Sequence, residues 1–151
     1  MKHITRLFLV ISLLISSSYA FSKSLENVDS HGVGIQGYDP VAYFTDQKPV
    51  KGTAQFQSSY EGVIYYFASA EHKAAFEGAP ASYVPQFGGF CAYGVSKGSV
   101  VEIDPTAFQI VDGRLLLQYS HGVLEKFNKD GAANLKKADA NWPVLLEKKG
   151  K

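Results

Sequence analysis

Few side chains in this 151-residue sequence can do chemistry: one cysteine, four histidines, 14 carboxylates and nine tyrosines. Cys91 is the one soft sulfur, and with His72, His31 or His121 it offers the thiolate and imidazole donors that copper or zinc accepts. No HxxxH or CxxC spacing preorganises such a site. Another reading makes Cys91 a nucleophile, with His72 or His121 as base and Asp104 or Asp112 as orienter. The glycines before it would then donate N–H groups to an oxyanion, as in a thiol-dependent hydrolase or transferase. The plainer reading makes Cys91 a small buried hydrophobe between Phe90 and Ala92, and leaves His72 on a helix surface or donating to a carbonyl. Asp29, Asp39, Asp46, Asp104 and Asp112 stand in turn contexts, where a carboxylate by default bonds its own backbone. The tyrosines at strand spacing read as core and rim, but Tyr38, Tyr66 and Phe90 are candidates to line an aromatic pocket for a small ligand.

The elements that must position these groups follow from periodicity and turn chemistry. Val63 to Ala68 is a β-branched and aromatic strand, and Thr53 to Ser59 alternates and pairs with it across Tyr60-Glu61-Gly62. Ser69 caps a short helix that runs to about Glu77 and closes at Gly78 and Pro80, with His72 and Phe76 on one face. Val41 to Phe44 is either a strand or a first helical turn after Pro40. Gly88, Gly89, Gly94 and Gly98 make Phe87 to Gly98 too irregular for a helix, and suit close packing or a pocket wall. There is no GxxxxGK, and no GxGxxG opens a helix after a strand, so a nucleotide site has no support. Val100 to Ile103 and Ala107 to Val111 are strand-like, and Asp112-Gly113 turns the chain into Arg114 to Tyr119. Val123, Leu124 and Phe127 repeat at helical spacing, and a last helix from about Gly131 to Asn141 carries Leu135 and Ala138 inward until Trp142-Pro143 breaks it. The fold class is α+β, a small antiparallel sheet with a few short helices packed on it.

Tyr66, Phe67, Ser69, His72 and Phe76, in the arrangement YFxSxxHxxxF, resemble the YHS domain. Gly37-Tyr38-Asp39-Pro40-Val41-Ala42-Tyr43-Phe44 and Tyr83 to Ala92 resemble the two halves of secreted single-domain members, and the resemblance runs from about Gly37 to Pro143. It implies a link to metal handling and makes a metal ion the leading ligand. YHS-like modules joined to copper-transporting ATPases place cysteines in both motifs, and the resemblance carries these onto Ala42, Ala68 and His72. Two of the three positions are methyl groups here, so the soft thiolate site is absent in that form. His72, at a motif position, and Cys91 are then the ligands expected for copper or zinc.

Met1 to Ala20 has a basic start at Lys2 and Arg6, an apolar run from Leu7 to Ile15 and small residues at Ser18 and Ala20, the pattern of a signal peptide cleaved after Ala20. The apolar run is shorter than the roughly 20 residues a membrane-spanning helix needs, and the one cysteine is not at the cleavage site, so neither a stable membrane anchor nor a lipid anchor is expected. Residues 21–36 read as an irregular lead-in, 37–146 as one domain and 147–151 as a basic tail. Without Lys2 and Arg6, 13 basic residues face 14 acidic ones, a balance that argues against a nucleic-acid partner. The sequence reads as a periplasmic or secreted binding protein for a metal ion or small ligand. Its alternatives are a thiol-dependent enzyme and a partner-interaction module without metal.

Overall fold

The computed structural model describes residues 23–151. The expected signal segment therefore lies outside the described residues. From Lys23 the chain runs irregularly to Gly34, held by isolated bridges between Val28 and Gly34 and between Val33 and Ile64. A first helical turn, α1 (Ala42–Thr45), follows Pro40. The hairpin β1 (Thr53–Tyr60) and β2 (Val63–Phe67) pairs Tyr60 with Val63 across the Glu61-Gly62 turn, and leads into α2 (Ala70–Gly78). Ser69 caps α2 by accepting the His72 N–H at 3.1 Å.

The second half contains α3 (Ala92–Ser96), the hairpin β3 (Asp104–Val111) and β4 (Arg114–Gln118), α4 (His121–Asn128) and α5 (Gly131–Lys149). The class is α+β, as expected, but the strands form two separate antiparallel hairpins rather than one sheet. Both hairpins slip register, between Thr53 and Gln57 and between Asp104 and Phe108. A bulge of that kind bends a strand and ends regular pairing, which keeps each ladder short.

β4 organises the interior. Leu115 and Leu117 point into a cluster with Tyr43, Tyr65, Phe67, Phe76 and Cys91, while Leu116 points the other way, into one with Phe87, Val95, Phe127, Ala138 and Leu145. A strand buried on both faces reads as a continuous apolar run rather than an alternating one, which is what Leu115-Leu116-Leu117 is.

Three expectations are corrected. Val100 to Ile103 is not a strand, since β3 begins at Asp104. The glycine-rich segment does contain a helix, α3, because Cys91 caps it and Gly94 lets it pack against Val101: a Cβ at Gly94 would stand 2.8 Å from that side chain. The last helix passes through Pro143 to Lys149. Proline costs a helix one hydrogen bond and a ring clash, but α5 is anchored on both sides of it. Ala138 and Leu145 are buried, Trp142 meets Phe87 edge-on and Phe90 at a tilt, and the Asn141 amide donates to the Val95 and Ser96 carbonyls. Lys148 and Lys149 thus belong to the last turn of α5, and Lys151 exchanges backbone hydrogen bonds with Ser24. No helix among the described residues is long and apolar enough to cross a membrane.

Candidate functional site

Asp39 is wholly buried, and its carboxylate is used four times. One oxygen accepts the N–H groups of Val41 at 2.8 Å and Ala42 at 3.3 Å, which starts α1. The other accepts the Ala68 N–H at 2.8 Å, at the end of β2, and meets His72 Nδ1 at 2.6 Å on α2. One carboxylate therefore ties together the stretches around Asp39-Pro40 and around Ser69, and gathers Ala42, Ala68 and His72 about itself. The pairing places the proton of a neutral His72 on Nδ1 and leaves Nε2 turned toward Thr45 Oγ1, at 3.4 Å, and Asp46 Oδ1, at 3.8 Å. The His72 side chain retains 19% of its exposure.

Residues 41–87 match the family model of the YHS domain. The chain carries a YHS domain. Comparison with curated proteins and comparison with solved structures each returned no match. The Asp39 clamp, two residues before the matched stretch, gives a physical reason for the motif spacing: the Asp-Pro turn, the strand end and the helical histidine meet at one buried charge. Sequence reading had assigned Asp39 to its own turn, and that bond exists; its bonds to Ala68 and His72 were missed because they are tertiary. The same assignment holds in full at Asp29, which accepts from the Val33 and His31 backbones. Those bonds hold its carboxyl below the ordinary range.

Cys91 lies beyond the matched stretch. It is 1% exposed, donates to Gln118 Oε1 at 3.3 Å and receives the Tyr119 N–H at 3.3 Å and the Gly94 N–H at 3.5 Å. None of these partners is shared with His72, and among the described residues no hydrogen bond joins the thiol to a histidine. His121 instead meets Thr106 Oγ1 at 2.9 Å, and that hydroxyl donates to Asp104. Among the described residues no group of three or more histidine, cysteine or acidic side chains is placed to hold a metal ion.

Of the aromatics singled out for a pocket, Tyr38 and Tyr66 belong to the first half of the fold and Phe90 to the other cluster. Tyr66 packs beside Gly37, Tyr38 lies under the Lys51 ammonium at 4.9 Å, and Phe90 sits against Trp142 in the other cluster. A cleft of about 1070 Å³ lies elsewhere, and none of these three aromatics lines it. Its floor and walls include Tyr60, Tyr65, Val84, Phe87, Trp142 and Leu146, from the first hairpin, the segment after α2, and α5. Lys23, Glu26, Glu61, Arg114 and Asp139 add charge. Gly88 shapes the wall: its φ is +60°, and a Cβ there would stand 2.0 Å from the Leu25 carbonyl oxygen, so only glycine lets the lead-in lie across it. Burial, with Glu61 nearby, pushes the Glu26 carboxyl up to about 7. The sequence pointed to one wall, the glycine-rich stretch from Phe87, but not to the cleft itself, whose walls come from five segments brought together only by the fold.

Proposed function

We propose that this chain is an exported YHS-domain protein that binds a small organic ligand in the cleft between the first hairpin and α5. The observation that supports it is the cleft: apolar and aromatic walls with a few charged groups, at the volume of a small-molecule site. The buried, fully bonded Cys91 gives no comparable support to a thiol-dependent enzyme. The test is a panel of small amphiphiles titrated against the purified protein by calorimetry and by Trp142 fluorescence, this being the one tryptophan. Saturable binding that is lost when Gly88 or Val63 is enlarged supports the reading. Binding that ignores those changes overturns it. Export rests on the sequence of residues 1–20, and predicts a mature chain that begins at Phe21. N-terminal sequencing of secreted material checks it, and an intact Met1 overturns it.

Metal handling, which the family resemblance implies, has one observation in its favour. His72 Nε2 is presented outward by a carboxylate behind it and has a second carboxylate, Asp46, within 3.8 Å. This donor pair suits zinc or copper(II) better than copper(I), whose preferred sulfur ligand, Cys91, has its own partners in the core. Zinc and copper titrations of wild type, His72→Ala and Cys91→Ser separate the cases. Loss with His72→Ala alone fits the imidazole and carboxylate pair, and loss with both variants restores the thiolate site.

A further inference from the structure

The charges around the cleft are not balanced. Lys23 is held by Glu147, donating at 3.0 Å to its carboxylate and at 2.8 Å to its carbonyl. Arg114 forms a forked pair with both carboxylate oxygens of Asp139, and its Nε donates to Gln86 Oε1 at 2.9 Å. Each cation on the cleft is therefore matched. Glu26 and Glu61 have no cationic or hydrogen-bonding partner among the described residues, yet they face the same space from the lead-in and the hairpin turn. The rings of Tyr60, Tyr65 and Trp142 line the same cleft.

From this arrangement we infer that the cleft takes a ligand with an apolar body and a protonated amine, the amine seated at Glu26 and Glu61 and the body against the aromatic wall. The inference rests on the cleft being the ligand site and adds the chemical class of its ligand. An ammonium supplies the charge the two carboxylates lack, and aromatic faces attract a cation further. A carboxylate or phosphate ligand would meet two like charges, with both neighbouring cations already paired. Glu26 also gives binding a pH signature. Its carboxyl is neutral below about 7 in the free protein, so an amine binds more weakly at acid pH and gains as Glu26 ionises, releasing a proton on binding. Glu61, Asp139, Lys23 and Arg114 are the other charged groups on the cleft, the Arg114 guanidinium being held charged by Asp139, and the Tyr65 hydroxyl, pushed up by burial, stays neutral.

The experiment compares 2-phenylethylamine, 2-phenylethanol and phenylacetate, matched in body and different in charge, by calorimetry on the full chain at pH 5.5 and pH 8. The amine is expected to bind roughly tenfold tighter than the alcohol at pH 8, to lose most of that advantage at pH 5.5, and to lose its pH dependence in Glu26→Gln. Glu61→Gln, on the exposed turn, is expected to weaken the amine without removing the pH dependence, and the wild-type pH profile needs no variant to fold. Equal or tighter binding of the alcohol or of phenylacetate at pH 8 overturns the amine preference and leaves the cleft as a ligand site. No binding by any of the three overturns both.

Discussion

Asp39 shows how much a single buried charge can be asked to do. Its wholly buried carboxylate receives three backbone N–H groups and one imidazole, so removal leaves several donors unpaired in the core. Asp39→Ala should cost about 3–5 kcal/mol, the range for breaking one side of a buried charged network. Denaturant titration measures it, and a loss below about 1 kcal/mol would show that the clamp does not hold α1, β2 and α2 together. Glu26 is the opposite case, a carboxylate that burial makes costly to ionise. Its folded value of about 7 lies above its ordinary 4.5, so stability from this group is full below about 4.5 and is lost as pH rises through 7. Glu26→Gln should flatten the fall in stability between pH 5 and pH 8, and a variant that falls as steeply as wild type would contradict the assignment. The candidate chemistry of His72 was legible in its motif, but its partner was not. Asp39 lies 33 residues earlier, and no local pattern signals a bond that depends on how two segments pack.

Among the elements, α2 and the first hairpin were read from the sequence nearly residue by residue, because Ser69, Gly62 and the alternating run around Tyr65 act locally. Phe76 joins them. It is 1% exposed, with ring centroids 5.0 Å from Phe67, 5.2 Å from Tyr65 and 6.3 Å from Tyr60. Phe76→Ala should destabilise by about 3–5 kcal/mol, since the cavity would open among aromatic rings that cannot all close in. Thermal and denaturant unfolding would show it, and a change under about 1 kcal/mol would place the ring outside the core. α3 and the far end of α5 were not legible. Glycine density and Pro143 speak against helix, and only the caps and anchors supplied by Cys91, Asn141, Trp142 and Leu145 reverse that local preference.

At the scale of the molecule, the class α+β follows from the elements, but their arrangement as two separate hairpins, one strand of the second buried on both faces, does not. Leu115-Leu116-Leu117 carries the signal for such a strand, yet a short apolar run does not say which element will cover which face. The cleft is likewise a product of assembly. The pairing of Ser24 with Lys151, reinforced by Lys23 on Glu147, brings the two ends of the described chain side by side. Residues 23–151 thus nearly close on themselves, and the order of their segments is separable from their shape. A circular permutant of residues 23–151 that joins Lys151 to Lys23 through a few glycines and opens at Gly98, an exposed turn with no side-chain neighbour, should fold to the same near-ultraviolet circular dichroism and lose no more than about 2 kcal/mol. Failure to fold would mean that the lead-in must be tethered at its own start to lie across Gly88. Success would offer two new termini at Gly98 for fusion or immobilisation, away from the residues that line the cleft.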